Sequence, residues 1–228
     1  MPLAGQGMLL TSMDVAPEHE ADFNRWYDSE HLEERVAIDG FLEARRYVAQ
    51  AASPKYPCPK YLCLYSTRTL EVLNSDTYRA RLANPTDWSR QTMARFQNMI
   101  RAVARITVSR GVGRGAVLGI VRLRPPAERV DNLRTELTAK LDPTGRDGII
   151  SMHLIESDAA LSGPTVELPA AAGASDWFVL IDGTEANAVS TLMAAHFSGG
   201  ATPIASMIVS SGLYTLMWDL TKADIGSR

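Results

Sequence analysis

The chain opens with an apolar, Thr-containing run, GMLLTSMDVAP (Gly7 to Pro17), which ends at a proline and reads as a strand. Glu18 to Ile38 reads as one long helix: Pro17 suits its first turn, Glu18, Glu20 and Asp22 complement the positive end of its dipole, and Gly40 stops it. Phe41 to Ala49 predicts a second strand, AASPKYPCP a loop, and Lys60 to Thr67 a third strand. A helix over Leu70 to Ala83 is broken by NPTD. Another helix is expected over Trp88 to Ile100, followed by a fourth strand at Ala102 to Ser109.

The second half replays this order. Gly115 to Pro126 predicts a strand ending in proline, Ala127 to Leu141 a helix, and Gly148 to Glu156 a strand. A loop of small residues, Asp158 to Ser175, leads to a strand at Asp176 to Ile181. A helix at Glu185 to Phe197 and a strand at Ala205 to Trp218, kinked at Gly212, complete the unit. The order β-α-β-β-α-β thus occurs twice, at a period of roughly 110 residues, and the repeat rests on the order of elements rather than on residue identity. One such unit leaves a sheet face bare and apolar, and the sheet of a second unit is its simplest cover. The expectation is an α+β chain of two units, residues 1–112 and 113–228, hinged at GVGRG (Gly111 to Gly115), with two antiparallel sheets packed face to face as a barrel-like sandwich and helices outside.

Composition narrows the function classes. Of 228 residues, 46% are hydrophobic and 21% charged, and the net charge of -3 gives no basic excess for nucleic acid or anionic lipid. The N-terminus lacks the basic start, apolar run and cleavage site of a signal peptide, and no apolar run approaches the ~20 residues of a membrane span. Cys58 and Cys63 form neither a disulfide framework nor a zinc pattern, which makes a reduced cytoplasm the expected compartment. No dinucleotide, phosphate-loop, nucleophile-elbow or metalloprotease pattern occurs.

The segment FNRWYDSEHLEER followed by GFLEARRY resembles the motif of the dimeric α+β barrel superfamily, particularly its EthD-like branch. The match spans about Phe23 to Tyr47; Asp39 stands where that branch usually has a proline before Gly-Phe, and the second unit lacks the motif. The resemblance implies two tandem ferredoxin-like units. It also implies a small-molecule enzyme, since members include cofactor-free monooxygenases, isomerases, cyclases and lyases. Heme enzymes are members too. In them a histidine of the second repeat ligates iron, so His153 and His196 are the residues that heme would use. The expectation here is no cofactor and no metal.

On an α-helix Tyr27, His31 and Arg35 fall at i, i+4 and i+8, in one stripe flanked by Phe23, Trp26 and Glu30. His31 titrates near neutrality and is the candidate for proton transfer, with Glu30 or Glu34 to orient it. Tyr27 or Tyr47 would donate a hydrogen bond to a carbonyl oxygen or phenolate. Arg45 or Arg46 would pair a substrate carboxylate; strand alternation puts one on each face and does not say which meets the pocket. Such a set suits proton transfer next to a carbonyl, as in a lyase or isomerase, or the oxygenation of an electron-rich aromatic. A helix ending in HLEER reads equally as a solvated face held by salt bridges. Phe23 and Trp26 suit core packing, and Trp26 is also a candidate substrate contact, with Tyr65 on the third strand and Trp88 after NPTD. The catalytic reading requires a closed cavity beside His31 for a ligand of about ten to fifteen heavy atoms. A carrier or accessory barrel that binds an apolar metabolite is the alternative, and pairing into a homodimer is compatible with both.

Overall fold

Alternation along the strands sends successive side chains to opposite sides of a sheet that closes on itself. The computed structural model describes residues 3–52, 55–163, 172–197 and 203–225, the side chains of 51 and 52 excepted. Its strands are β1 (Gly7–Asp14), β2 (Phe41–Ala52), β3 (Tyr61–Thr67), β4 (Gln97–Gly111), β5 (Val117–Leu123), β6 (Ile149–Ser157), β7 (Trp177–Gly183) and β8 (Ile208–Thr221). All pair antiparallel, in the closed order β4-β1-β3-β2-β8-β5-β7-β6 and back to β4. Each run of four has the same permutation. The barrel expected from the sequence is present, as one closed eight-stranded sheet rather than a sandwich of two. The two runs are hydrogen-bonded edge to edge through β2–β8 and β4–β6, so no strand edge is left unpaired among the described residues.

Helices cover the outside: α1 (Glu20–Trp26), α2 (Leu32–Val36), α3 (Asp76–Ala83) and α4 (Asp87–Met93) over the first half, α5 (Val130–Lys140) and α6 (Ala186–Phe197) over the second, and a short α7 (Lys222–Ile225) at the end. No described helix is long and apolar enough to cross a membrane. Met8, Leu10, Leu62, Leu64, Leu118, Ile120, Phe178 and Leu180 fill the barrel interior. Leu9, Phe23, Trp26, Tyr27, Cys63 and Tyr65 form the core between helices and sheet in the first half, and Leu133, Leu137, Val179 and Ile181 do so in the second. β4 ends at Gly111, where φ is +106° and an added Cβ would meet the Ile150 carbonyl oxygen at 2.2 Å, so glycine is required as the chain leaves the sheet.

Three expected elements differ. The helix expected over Leu70 to Ala83 is a 3-10 turn (Leu70–Asn74) and then α3, because Ser75 is extended and caps α3 by accepting from the Tyr78 amide at 3.2 Å. The helix expected over Trp88 to Ile100 stops at Met93, and β4 starts at Gln97, where it pairs with Asp14 on β1. The backbone groups along β1 need partners, and that requirement overrides local helix propensity. β8 continues as strand through Gly212, where it keeps register with β5, and the irregularity beside it is a bulge in β2 between Ala49 and Ala51, opposite Tyr214 and Leu213. Residues 164–171 of the expected 158–175 loop lie outside the described residues.

Arg46 ties α1 to the sheet. Its side chain is 0% exposed. Its guanidinium donates to Asp28 at 2.7 Å and to Asn24, and lies over the rings of Tyr27 at 4.4 Å, Phe23 at 5.3 Å and Tyr61 at 5.7 Å. From the second half, Lys222 Nζ donates to the carbonyls of Val36, Ala37 and Ile38, which meets the negative end of α2 with a cation. We expect Arg46→Met to destabilise the fold by about 2 kcal/mol, lowering Tm by roughly 4–8 °C. Arg46→Lys should recover only part of this, because an ammonium cannot bond Asn24 and Asp28 as a planar fork does. Thermal unfolding of the two variants checks both.

Candidate active site

Between α1 and α2 the helix takes a single π turn, Tyr27–His31, in which the Leu32 amide donates to the Tyr27 carbonyl five residues back. Such turns insert one residue into an α-helix and are frequent at functional sites. Here the wider turn stacks His31 on Trp26, five positions earlier, with ring centroids 4.0 Å apart and planes inclined by 28°. Tyr27 meets His31 edge-on at 5.2 Å and Tyr65 does so at 6.4 Å. The continuous helix expected over Glu18 to Ile38 therefore carries an irregularity, and the straight i, i+4, i+8 stripe is re-aimed by it.

His31 is 8% exposed and borders a cavity of about 50 Å³ lined by Trp26, Tyr27, Tyr65, Arg35, Thr11 and Met13, with Tyr78, Met93, Phe96, Met99 and Arg101 around them. This volume holds roughly three or four waters. It is smaller than the ligand of ten to fifteen atoms expected from the sequence, since ligand pockets run about 300–1,000 Å³. Four buried polar atoms on this one cavity have no hydrogen-bond partner among the described residues: His31 Nδ1, Tyr65 Oη, Thr11 Oγ1 and Arg35 Nη1. Orphaned buried polar groups are rare in folded proteins, so four around one small space mark it out.

The electrostatics follow from burial. Desolvation, followed by the charges of Arg35 and Arg46, holds the His31 pKa well below its usual 6.5, so the imidazole is neutral at neutral pH. Desolvation raises the Tyr27 and Tyr65 hydroxyls well above 10, so both stay protonated and able to donate. Tyr27 Oη lies 4.0 Å from the Met13 sulfur, with the Thr11 hydroxyl and the Cys63 thiol close enough to act on its titration. The expected orienting carboxylates are engaged elsewhere. Glu30 accepts from Thr86 at 2.6 Å and from Ser89 at 3.2 Å, which fastens α4 to the π turn, and Glu34 lies 3.5 Å from Arg81. Ser89 in turn accepts from the Trp26 indole at 3.1 Å.

The structure brings His31, Tyr27, Trp26 and Tyr65 together on this cavity. It places Tyr47 and Arg45 on the other side of β2, inside the barrel, where Arg45 pairs with Glu43 at 2.8 Å; strand alternation separates them from His31 by the thickness of the sheet. Arg46 shares the face of His31, but its guanidinium is held by Asp28, Asn24 and three rings. Trp88 packs at the margin of the core under the Arg25 guanidinium and is not on the cavity wall. Arg35, Thr11, Tyr78 and Arg101 are on the wall and do not stand out in the sequence as site residues. For Arg35 a signal exists, since it continues the stripe of Tyr27 and His31. Thr11, Tyr78 and Arg101 come from distant segments with no local cue.

The histidines that heme would use do not suit it. His153 is 0% exposed inside the barrel with both ring nitrogens engaged: Nε2 is 3.0 Å from Ser151 Oγ and 3.3 Å from Asp182, and Nδ1 is 3.1 Å from Ser109 Oγ. His196 lies near the end of α6 against Phe197, on the outside of the second half. A second and larger cleft, about 630 Å³, opens at one end of the barrel among Asp14, Cys58, Asn98, Arg122 and Ser210. Phe96 and Met99 line both spaces and form the wall between them.

No protein-family model and no curated protein matches this sequence. Solved structures do match in fold. An anthrone oxidase-like protein superposes with a TM-score of 0.64 at 8% identity, covering 95% of this chain and 93% of that one. A putative monooxygenase from Fusobacterium nucleatum gives 0.58 at 8% identity over 96% and 95% of the two chains. A mutant chlorite dismutase from Candidatus Nitrospira defluvii gives 0.53 at 11% identity over 97% and 94%. At such identities the likeness establishes a shared α+β architecture and leaves the reaction to be argued from the site.

Proposed function

We propose that this protein is a cofactor-independent enzyme that moves a proton on a small carbonyl or phenolic substrate, with His31 as the base. On this reading the chain is two ferredoxin-like units, residues 1–112 and 113–228, of the EthD-like kind, and only the first retains the site. The observation that carries the proposal is the neutral, buried imidazole of His31 on the cavity wall, whose Nδ1, like three other polar atoms of that wall, has no hydrogen-bond partner among the described residues. The imidazole takes a proton from carbon next to a carbonyl, or from a phenol. The electron pair moves onto the oxygen, where the protonated hydroxyls of Tyr65 and Tyr27 donate to it. The stack on Trp26 holds the ring in place while it does so. Return of the proton to a different carbon makes an isomerase; loss of a leaving group makes a lyase; electron transfer from the anion to dioxygen, recombination to a hydroperoxide and loss of water to leave a new carbonyl makes a monooxygenase, with the substrate as its own reductant. Substrate enters by displacement of the Phe96 and Met99 side chains from the larger cleft, since a cavity of about 50 Å³ is too small to hold it.

Exchange of carbon-bound hydrogen for deuterium, followed by NMR with small β-dicarbonyl and phenolic acids in D₂O, tests this even while the product is unidentified. We expect His31→Gln to slow exchange by about 100-fold or more, with Tm within a few degrees of the parent. Glutamine is preferred to alanine because His31 packs on Trp26 and truncation would open a void. Binding without exchange in the parent protein would identify a carrier instead.

The rate should also depend on pH in a definite direction. A base with a depressed pKa is unprotonated above that pKa and loses activity only as pH falls through it. Exchange measured as kcat/KM should therefore stay level as pH is lowered past 6.5 and decline only well below it. An acid limb centred at or above 6.5 would assign the base to another group.

A further inference from the structure

We propose that the substrate of this cavity is a small organic acid, and that Arg35 binds its carboxylate. The inference rests on the reading of the cavity as a substrate site and adds the charge of what enters it. Arg35 is 4% exposed, and among the described residues no carboxylate comes within ion-pairing distance of it. Three of the four other buried arginines show the contrast, and the fourth, Arg101, lines the same cavity. Arg45, Arg46 and Arg122 meet Glu43, Asp28 and Asp176 at 2.8, 2.7 and 2.5 Å. One terminal nitrogen of Arg35, Nη1, has no hydrogen-bond partner among the described residues. Glu34, the acid beside Arg35 in sequence, lies against Arg81 instead.

The rest of the wall points the same way. Arg101 is a second buried cation on the cavity, with Nη1 donating to the Leu161 carbonyl at 3.0 Å, and no described aspartate or glutamate lines the space. A cation held out of water is costly unless an anion compensates it, and a guanidinium presents paired donors that match a carboxylate. The hydroxyls of Tyr65 and Thr11, beside Tyr27 and without a full hydrogen bond among the described residues, supply further polar contacts to the same ligand. An acid anchored at Arg35 would hold its neighbouring carbon beside His31, one helical turn away on the same face.

Isothermal titration with benzoate and with benzamide, which share shape and differ in charge, tests the assignment. We expect benzoate to bind at least about 30-fold more tightly than benzamide, and Arg35→Met to abolish that preference. Arg35→Lys, which keeps the charge and loses the fork, should fall between. Without ligand, Arg35→Met should melt no lower than the parent, because it removes an uncompensated buried charge; a purely structural arginine would show a marked drop. Equal binding of the two probes, binding of neither, or benzoate binding that survives Arg35→Met overturns the inference. His31→Gln separates this from the proton-transfer proposal: it should lose deuterium exchange and keep benzoate binding. Loss of exchange with no charge preference would leave the base in place and sink only the anion site.

Discussion

The site depends on how one guanidinium is held. Arg46 rises from β2 into the layer between sheet and helix, where it is wholly buried, and directs its donors to Asp28 and Asn24 of the helix above. Three aromatic rings from α1, the π turn and β3 surround it. Asp28 also accepts from the Trp218 indole on β8 at 2.8 Å, so a single carboxylate joins the motif helix to strands of both halves. These contacts fix the height and rotation of the helix that carries His31. A buried ionic group that makes several directional contacts specifies geometry even where its net contribution to stability is modest.

The same arrangement sets the charge state of the site. Two arginines near a desolvated imidazole disfavour its protonated form, and the hydroxyls around it stay protonated for the same reason of burial. The imidazole and the hydroxyls therefore occupy complementary protonation states at one pH, with no described carboxylate orienting the ring. Glu30 and Glu34, which stand beside His31 in sequence, serve the attachment of α3 and α4 over the cavity instead. In the barrel interior the opposite solution is used: His153 is buried among Asp182, Ser151 and Ser109, with both ring nitrogens satisfied. Two buried histidines of one chain thus differ in hydrogen bonding: both ring nitrogens of His153 are engaged, while Nδ1 of His31 has no partner among the described residues.

Much of this was legible in local pattern. Strand-Pro-helix junctions, the stop at Gly40 and the short apolar runs of β1, β3 and β5 mark elements that the structure contains, because they reflect dihedral limits and side-chain character, which are properties of short segments. His31, Tyr27, Trp26 and Arg35 are close in sequence and stay close in space for the same reason. Alternation also separates Arg45 from Arg46, without saying which lies under the helix.

What sequence alone determined was the set of elements and the chemistry available on the first helix. Tertiary structure decided the rest. The strand at Gln97–Ile100 exists because β1 needed a partner, the π turn because helix and sheet together over-determine one loop of backbone, and the removal of Tyr47 from the site because the sheet lies between it and His31. Whether Arg35 would meet a carboxylate was also undecided by the chain, which places three glutamates within five residues of it. Which charges end up paired depends on side chains that arrive from distant segments, and the free energy of a buried group depends on that whole surrounding rather than on its neighbours along the backbone.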